Sequence, residues 1–226
     1  MAEFPPPTFS AFARRPSNLL SVFSIAVWVY VIAHAIATGL VFTAVDSARD
    51  FANDSSLKQA FDDAMRPVNI VSSFAWAAWL IIAVTTFIWT HRVTREVTNR
   101  GVLLRFSPVL CMFSWLLPPA LFIFPLIVLR DLVTKTKTMR GDEQESIRPV
   151  ITQWWFFFGL VPFVMWLLGT AQSSTSFSNA VLELDQDQAR TMSDQIIPST
   201  IAGLSLIAAA LMWRRIVNTL STQLDI

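Results

Sequence analysis

The stretch that decides the fold is RFSPVLCMFSWLLPPALFIFPLIVLRD, residues 105–131. Within it, residues 109–129 carry no charge, and this run of 21 residues is long enough to cross a bilayer as a helix. Pro118 and Pro119 interrupt the run near its middle, and a proline inside a helix removes a hydrogen bond and clashes with the preceding turn. The stretch therefore predicts either a kinked span or a re-entrant segment, about residues 107–129, that enters the membrane and returns.

The two arms beside the prolines, residues 107–117 and 119–129, hold 11 residues each. At ~1.5 Å per residue, a helical arm of that length reaches ~16 Å, about half of a ~30 Å hydrocarbon core. This length suits a hairpin. We expect Trp115 to pack against the turn, and Pro125 to contribute to the structure of the second arm.

The composition is that of a membrane protein. The chain is 54% hydrophobic with a mean hydropathy of +0.51, and only 15% of its residues are charged, whereas a soluble domain is about a quarter charged. The apolar residues form long blocks, which predict an all-α integral membrane protein with short amphipathic helices in the loops and tail. We predict a cytoplasmic tail at residues 1–18 and a single four-span membrane domain at residues 19–224. The predicted spans are residues 19–43, 68–89, 150–169 and 196–213.

Lysine and arginine near the spans set the orientation, because they stay on the cytoplasmic side of the membrane. With five full spans and the amino terminus inside, the inside segments hold 7 of the 17 Lys and Arg residues. With residues 107–129 re-entrant, the inside segments hold 13 and the outside segments 4. The charge count agrees with the Pro-Pro break. We therefore predict four transmembrane helices plus a re-entrant or broken hairpin between spans two and three, with both termini cytoplasmic.

A hairpin in the membrane must be covered closely by the other spans, since its backbone leaves regular helix. Small residues allow such close packing. Those predicted at helix contacts are Ala35, Gly39, Ser73, Ala77, Ser199 and Gly203. The eight tryptophans other than Trp115 are predicted mostly as belt residues at the membrane surfaces.

Few side chains in or beside the spans can carry chemistry. No Asp, Glu, Lys or Arg lies within the predicted spans, so His34 in the first span is the one candidate for a proton relay. A relay needs a second ionisable group, and a neutral histidine packed between helices is the favoured interpretation. Arg105, Arg130 and Asp131 flank the hairpin. Arg130 and Asp131, where the hairpin returns to the interface, would anchor a lipid headgroup or a partner, or form an interfacial salt bridge or a snorkelling arginine. Arg105, together with Arg92, Arg95 and Arg100, would hold anionic lipid or serve only to set the topology.

The composition excludes several classes of site. A net charge of +1 gives no field that favours nucleic acid. Two histidines and one cysteine are too few for a structural zinc site or an internal disulfide. The sequence also lacks paired acids in a span, a Gly-rich phosphate loop and a nucleophile elbow. We therefore expect no enzyme, no catalytic or metal-binding residues and no cofactor.

Several short motifs together resemble a known family. They are, in order, Arg105-Phe106-Ser107-Pro108, Trp115-x-x-Pro118-x-Ala120, Pro125, Arg130-Asp131-Leu132 and Trp154-Trp155. The pattern resembles the bacterial, mainly actinobacterial, membrane proteins grouped as domain of unknown function 4328, with a similar layout over about residues 19–224. The resemblance implies a fold and a membrane location, and it brings no activity with it.

Two functions from different classes fit these features. The first is a non-catalytic accessory, scaffold or partner- and lipid-binding protein of the bacterial cytoplasmic membrane, because the chain lacks catalytic patterns and its cytoplasmic face is basic. Its partners would be the bilayer, anionic lipid at the cytoplasmic face, and a second copy or another membrane protein. The alternative is a small oligomeric transporter or channel with the hairpin lining the path. A polar stripe along a cavity would favour the alternative, and sealed apolar packing the first.

Overall fold

The computed structural model describes residues 18–115, 123–140, 147–172 and 181–224, and every regular element in these ranges is helical. The α-helices are α1 (Asn18–Asn53), α2 (Lys58–Asn99), α3 (Pro108–Phe113), α4 (Phe124–Arg140), α5 (Arg148–Trp155), α6 (Val161–Gln172), α7 (Val181–Asp194) and α8 (Ile196–Leu224). Four segments are long and apolar enough to cross a membrane: Asn18–Asn53, Ser55–Asn99, Arg148–Leu168 and Ile196–Leu224. This arrangement is consistent with the predicted multi-pass architecture of four transmembrane helices.

Helices α1 and α2 form a long antiparallel hairpin that contributes two of these four segments. They are joined by a single 3-10 turn, Ser55–Leu57, whose first backbone amides are capped by Asp54. The Asp54 carboxylate accepts a hydrogen bond of 2.9 Å from the Ser56 backbone N–H. Hydrogen bonds from the Ser56 side chain and backbone lower the pKa of the Asp54 carboxyl.

Residues 46–66 do not form one of the short, separate amphipathic helices that the sequence predicts in the loops. Helix α1 continues through residues 44–53, beyond the predicted span, and Phe61 and Met65 belong to α2. The reason is that charged side chains do not end a helix, and residues 44–53 contain neither glycine nor proline. At ~1.5 Å per residue, α1 is ~54 Å long, well beyond a ~30 Å hydrocarbon core.

The end of the bundle formed by the α1–α2 turn and α7 is called the acidic end. Here the side chains of Gln186 and Arg190 on α7 donate to the backbone oxygens of Phe51 and Ala52, at 3.1 and 3.0 Å. These bonds satisfy carbonyls that the last turn of α1 leaves without helical partners. A small core lies beneath them. Its members are Ala48, Phe51, Ala52 and Ala189, with Phe61 stacked on Phe51 at 5.3 Å.

The opposite end, where α1 begins and where α2 and α8 end, is called the basic end. Arg100 donates from Nη2 to the backbone oxygen of Leu224 at 2.8 Å, which ties the end of α2 to the end of α8. The tail is not a separate amphipathic helix, because α8 runs unbroken from Ile196 to Leu224. No helix breaker follows Trp213, and the tail's apolar side chains are buried against the bundle.

The third candidate spanning segment is irregular in its middle. Helix α5 passes into a π-helical turn, Phe156–Leu160, and then into α6. Gly159 is buried in this turn, and α6 packs against α8. A π turn holds one residue more than an α turn, so it shifts the faces of the helix that follows.

The described helices present a broad apolar surface to the outside, as lipid contact requires. Tryptophans on this surface are Trp28, Trp76, Trp79 and Trp166. The prediction of small residues at helix contacts holds for Gly203, which is buried, and is wrong for Ala35, Gly39, Ser73, Ala77 and Ser199, which are exposed. A buried cluster that joins α1 and α2 contains the small residues Ala33, Ala75 and Ala78. A shift of two residues along a helix turns a side chain to nearly the opposite face.

Candidate functional site

The two ends of the stretch that organises the sequence lie side by side. The backbone N–H of Arg105 donates to Oδ2 of Asp131 at 2.8 Å, across 26 positions of sequence. Nearby, the rings of Phe106 and Phe124 lie 5.8 Å apart. A straight helix over the same 26 positions would separate its ends by ~39 Å. The Asp131 carboxylate thus links the segment before α3 to α4, and it does not pair with Arg130.

Helix α4 is amphipathic from its first turn. Pro125 lies in that turn, where its missing N–H removes no helical hydrogen bond, and its side chain is buried. A buried stripe then follows along the helix: Val128, Leu129, Leu132, Val133 and Thr136. Arg130 and Thr134 are exposed on another face. Pro118 and Pro119, the predicted breakers, lie outside the described residues.

Trp115 enters a cluster of tryptophans that the sequence analysis did not foresee. Its ring lies 5.0 Å from that of Trp213 and 5.8 Å from that of Trp154, and Trp89 lies 5.5 Å from Trp213. Trp89, Trp154 and Trp213 are each less than 5% exposed. The prediction that they are belt residues is therefore wrong, because α2, α5 and α8 converge here and bury them. The partners of Trp115 in the described structure are these rings.

Two cross-helix hydrogen bonds fix the cluster. The indole N–H of Trp213 donates to Oγ1 of Thr86 at 2.9 Å, and that of Trp89 donates to Oγ of Ser221 at 2.8 Å. The indole N–H of Trp115 is buried and has no acceptor among the described residues. The cluster is thus an apolar core that also sets the register between α2 and α8. It does so because a buried indole favours a hydrogen-bond partner for its N–H, and two of the indoles find theirs on the other helix.

His34 stands apart from the other candidate residues. Its ring stacks on Tyr30 at 5.3 Å, and Gly203 of α8 faces it so closely that a Cβ there would lie 3.1 Å from Nε2. The same Cβ would lie 3.3 Å from Oγ1 of Thr38. His34 therefore fills a contact between α1 and α8. The structure does not bring it together with Arg105, Arg130 or Asp131.

Arg130 belongs to a second arrangement, which includes a residue that the sequence analysis treated only as part of a charge count. Its Nη2 donates to Oγ1 of Thr152 at 3.2 Å, and Nη2 of Arg148 donates to Oγ1 of Thr134 at 3.0 Å. Each arginine of one helix thus holds the threonine of the other. The four side chains and Pro149 line an open pocket of about 400 Å³ between α4 and α5. We call it the arginine pocket.

The threonines of the arginine pocket use their own protons within their helices. Thr134 donates to the backbone oxygen of Arg130 at 2.7 Å, and Thr152 donates to that of Arg148 at 3.2 Å. Their oxygens are therefore left to accept from the guanidinium groups. The signal that could have identified this site is the repeated Arg-x-x-x-Thr spacing, since residues four apart share a helix face.

Groups suited to metal binding are absent from the described ranges, where no set of three or more His, Cys, Asp or Glu side chains converges. Cys111 is buried and free. What the described residues bring together at the basic end is apolar packing and positive charge.

Residues 52–222 match the family described as Domain of unknown function (DUF4328). The matched range begins at the end of α1 and contains α2 to the last turns of α8, so it includes the tryptophan cluster and the arginine pocket. No match was found among curated proteins, and none among solved structures.

Proposed function

Because the chain belongs to the family named Domain of unknown function (DUF4328), we propose its function from its geometry: a non-catalytic accessory or scaffold protein of the bacterial cytoplasmic membrane. Its basic end would bind anionic lipid or a membrane protein partner, including a second copy. The observation that carries the proposal is the tryptophan cluster. Where the hairpin arm meets α2, α5 and α8, the space is filled by indole rings 5.0–5.8 Å apart.

The alternative, an oligomeric channel, needs a polar path beside the hairpin. The buried threonines of α2 are the nearest approach to one, and their hydroxyls are already bonded. Thr86 accepts from Trp213, and Thr90 and Thr94 donate to carbonyls one turn back at 2.9 and 2.7 Å. Hydroxyls satisfied in this way act as packing groups within membrane helices. This packing supports the proposal of a scaffold protein and not that of a channel.

For the topology, we propose a single four-span domain with residues 107–129 re-entrant and both termini cytoplasmic. The hydrogen bond between Arg105 and Asp131 supports a segment that returns to the side on which it entered, because a full span would separate these residues by a membrane thickness. The excess of Lys and Arg on the segments assigned to the inside supports the orientation.

The topology is tested by cysteine labelling in intact cells, in a background where Cys111, the one cysteine, is replaced by serine. Single cysteines are then placed at Asp54, Thr98 and Thr138. We expect an impermeant reagent to label position 54 and to spare positions 98 and 138 until the membrane is opened. Labelling of position 138 without position 98 would restore a fifth span and contradict the re-entrant segment.

The function is tested by placing a photo-crosslinking residue at Arg95, exposed at the basic end, and at Asp62, exposed at the acidic end, as the matched control. We expect a discrete crosslinked lipid or protein from position 95 and none from position 62. Proteoliposomes of the purified protein should be no more permeable to ions than empty liposomes. Ion flux that requires the protein would contradict the scaffold and favour the channel.

A further inference from the structure

We propose that the arginine pocket binds the phosphate of an anionic lipid headgroup. This inference rests on the proposed function in one respect, which is that the basic end lies at a membrane surface. It adds a defined site and a defined ligand chemistry: a phosphate that carries net negative charge, held between the guanidinium groups of Arg130 and Arg148.

The first argument is the count of free donors. A guanidinium group has five N–H donors, and each of these arginines spends one nitrogen, Nη2, on a threonine oxygen. Within the described ranges, neither arginine has a carboxylate at ion-pair distance. Asp131, the neighbour of Arg130, is engaged by the backbone N–H of Arg105. Two positive charges with spare forked donors, and with no acidic partner among the described residues, form a site suited to a phosphate.

The second argument is that the guanidinium groups are already positioned. The threonine oxygens hold both arginines across the gap between α4 and α5, so the cost of ordering two long side chains is met before a ligand arrives. Arg148 and Pro149 also open α5, whose N-cap residue, Ile147, makes no side-chain cap. The amides of this first turn add partial positive charge beside the pocket.

The third argument is the depth of the pocket, which favours a lipid over a soluble phosphate. Arg130 directly follows the apolar run of residues 109–129, and Thr152 lies within the first turns of the third predicted span. The pocket thus straddles the predicted boundary between the hydrocarbon core and the headgroups. Below Thr152, at steps of four residues, Phe156 and Leu160 are exposed, and they offer an apolar surface on which an acyl chain can lie.

The charge of the pocket selects among lipids. A zwitterionic headgroup brings a cationic amine toward two arginines, whereas phosphatidylglycerol or phosphatidic acid brings only negative charge. Near a charged membrane surface, each basic residue contributes a factor of roughly five in affinity. Removing both arginines should therefore weaken binding of the anionic lipid about 25-fold.

The test uses native mass spectrometry of the full chain in detergent, titrated with phosphatidylglycerol or phosphatidylcholine. We expect one phosphatidylglycerol to be retained in preference to phosphatidylcholine. The variant R130Q/R148Q should lose this preference. The matched control, R92Q/R95Q, removes two exposed arginines from the same end and should keep it. Equal losses in the two variants would mean diffuse attraction to the basic end and would overturn the pocket.

Two further experiments test whether the threonines position the arginines and whether the ligand is a lipid or a soluble phosphate. T134V/T152V keeps both charges but removes the oxygens that hold the guanidinium groups, and we expect severalfold weaker retention. Unchanged retention would overturn the positioning argument. Inorganic phosphate at millimolar concentration should not displace the lipid, and displacement would assign the site to a soluble phosphate instead. The crosslinks from Arg95 are scored separately, so a failure of the pocket is distinguishable from a failure of the scaffold.

Discussion

At the basic end of the bundle, four tryptophans contributed by three helices and the α3 arm pack ring against ring, whereas at the acidic end a small alanine-rich core is closed by α7. The bonds differ in kind as well. Trp213 and Trp89 bond to side chains of other helices, at Thr86 and Ser221. At the acidic end, Gln186 and Arg190 bond to backbone oxygens of α1.

This difference separates two tasks of a membrane bundle. A bond between two side chains depends on both residues and on the register of both helices, so the basic end defines one arrangement of α2 and α8. A bond to a backbone oxygen depends on one side chain only, and any residue may supply the oxygen. The acidic end therefore closes the α1–α2 hairpin with few sequence requirements. The basic end sets the arrangement that holds the arginine pocket.

The largest effect that would sharpen this comparison is expected from Trp213→Ala. Trp213 is 4% exposed and touches three other tryptophans. Removing a buried tryptophan costs ~3–5 kcal/mol of unfolding free energy. Thermal unfolding in detergent should show a large decrease. The control, Trp166→Ala, removes a ring that is 61% exposed and should have little effect. Similar losses in the two variants would mean that the cluster is not a core.

A smaller effect is expected where α8 passes between the two ends, at Gly203→Leu. A side chain there meets His34 and Thr38, and overpacking of this kind costs ~1–3 kcal/mol. The control is Gly39→Leu, which gains the same helix propensity and has nothing within 4 Å of its Cβ. The loss should be partly recovered by adding His34→Ala. A Gly203→Leu protein as stable as the control would contradict the close contact of α1 and α8.

The smallest effect is expected at the acidic end, from Arg190→Met. The variant loses the bond to the Ala52 oxygen, which is worth ~1 kcal/mol because the side chain is largely exposed. Hydrogen exchange should become faster in the last turn of α1 and remain unchanged around Trp213. Arg49→Met, which removes only an exposed pair with Asp46, serves as the control. Faster exchange at both ends would show that the two regions are coupled.

The sequence was sufficient for the number of helices long and apolar enough to span a membrane, because a run of some 20 apolar residues is a local property that needs no partner. It was insufficient for the direction in which each side chain points. Trp76 faces outward and Trp89 inward, yet both lie in the same apolar run. The choice depends on which helices surround α2, and that is a property of the packed bundle.

The candidate site was predicted only in part, because its contacts also depend on how the helices pack together. Arg105, Asp131 and Arg130 were identified from their place at the two ends of the predicted hairpin. The structure joins the first two, a contact that the sequence did not predict. Arg148 was counted only as a charge that sets orientation. Its bond to Thr134 joins α5 to α4. The Arg-x-x-x-Thr spacing places each arginine and threonine on one face of its own helix, but it does not tell which two helices face each other.

The π-helical turn at Phe156–Leu160 limits how this chain can change in length. Such a turn is what remains when one residue is inserted into a helix whose two ends are already held. Deleting one residue there would restore regular geometry and rotate residues 161–172 by ~100° relative to α5. Trp154 would keep its contacts with Trp115 and Trp213, while α6 lost its packing against α8. The number of residues in the turn is therefore set by the packing on its two sides.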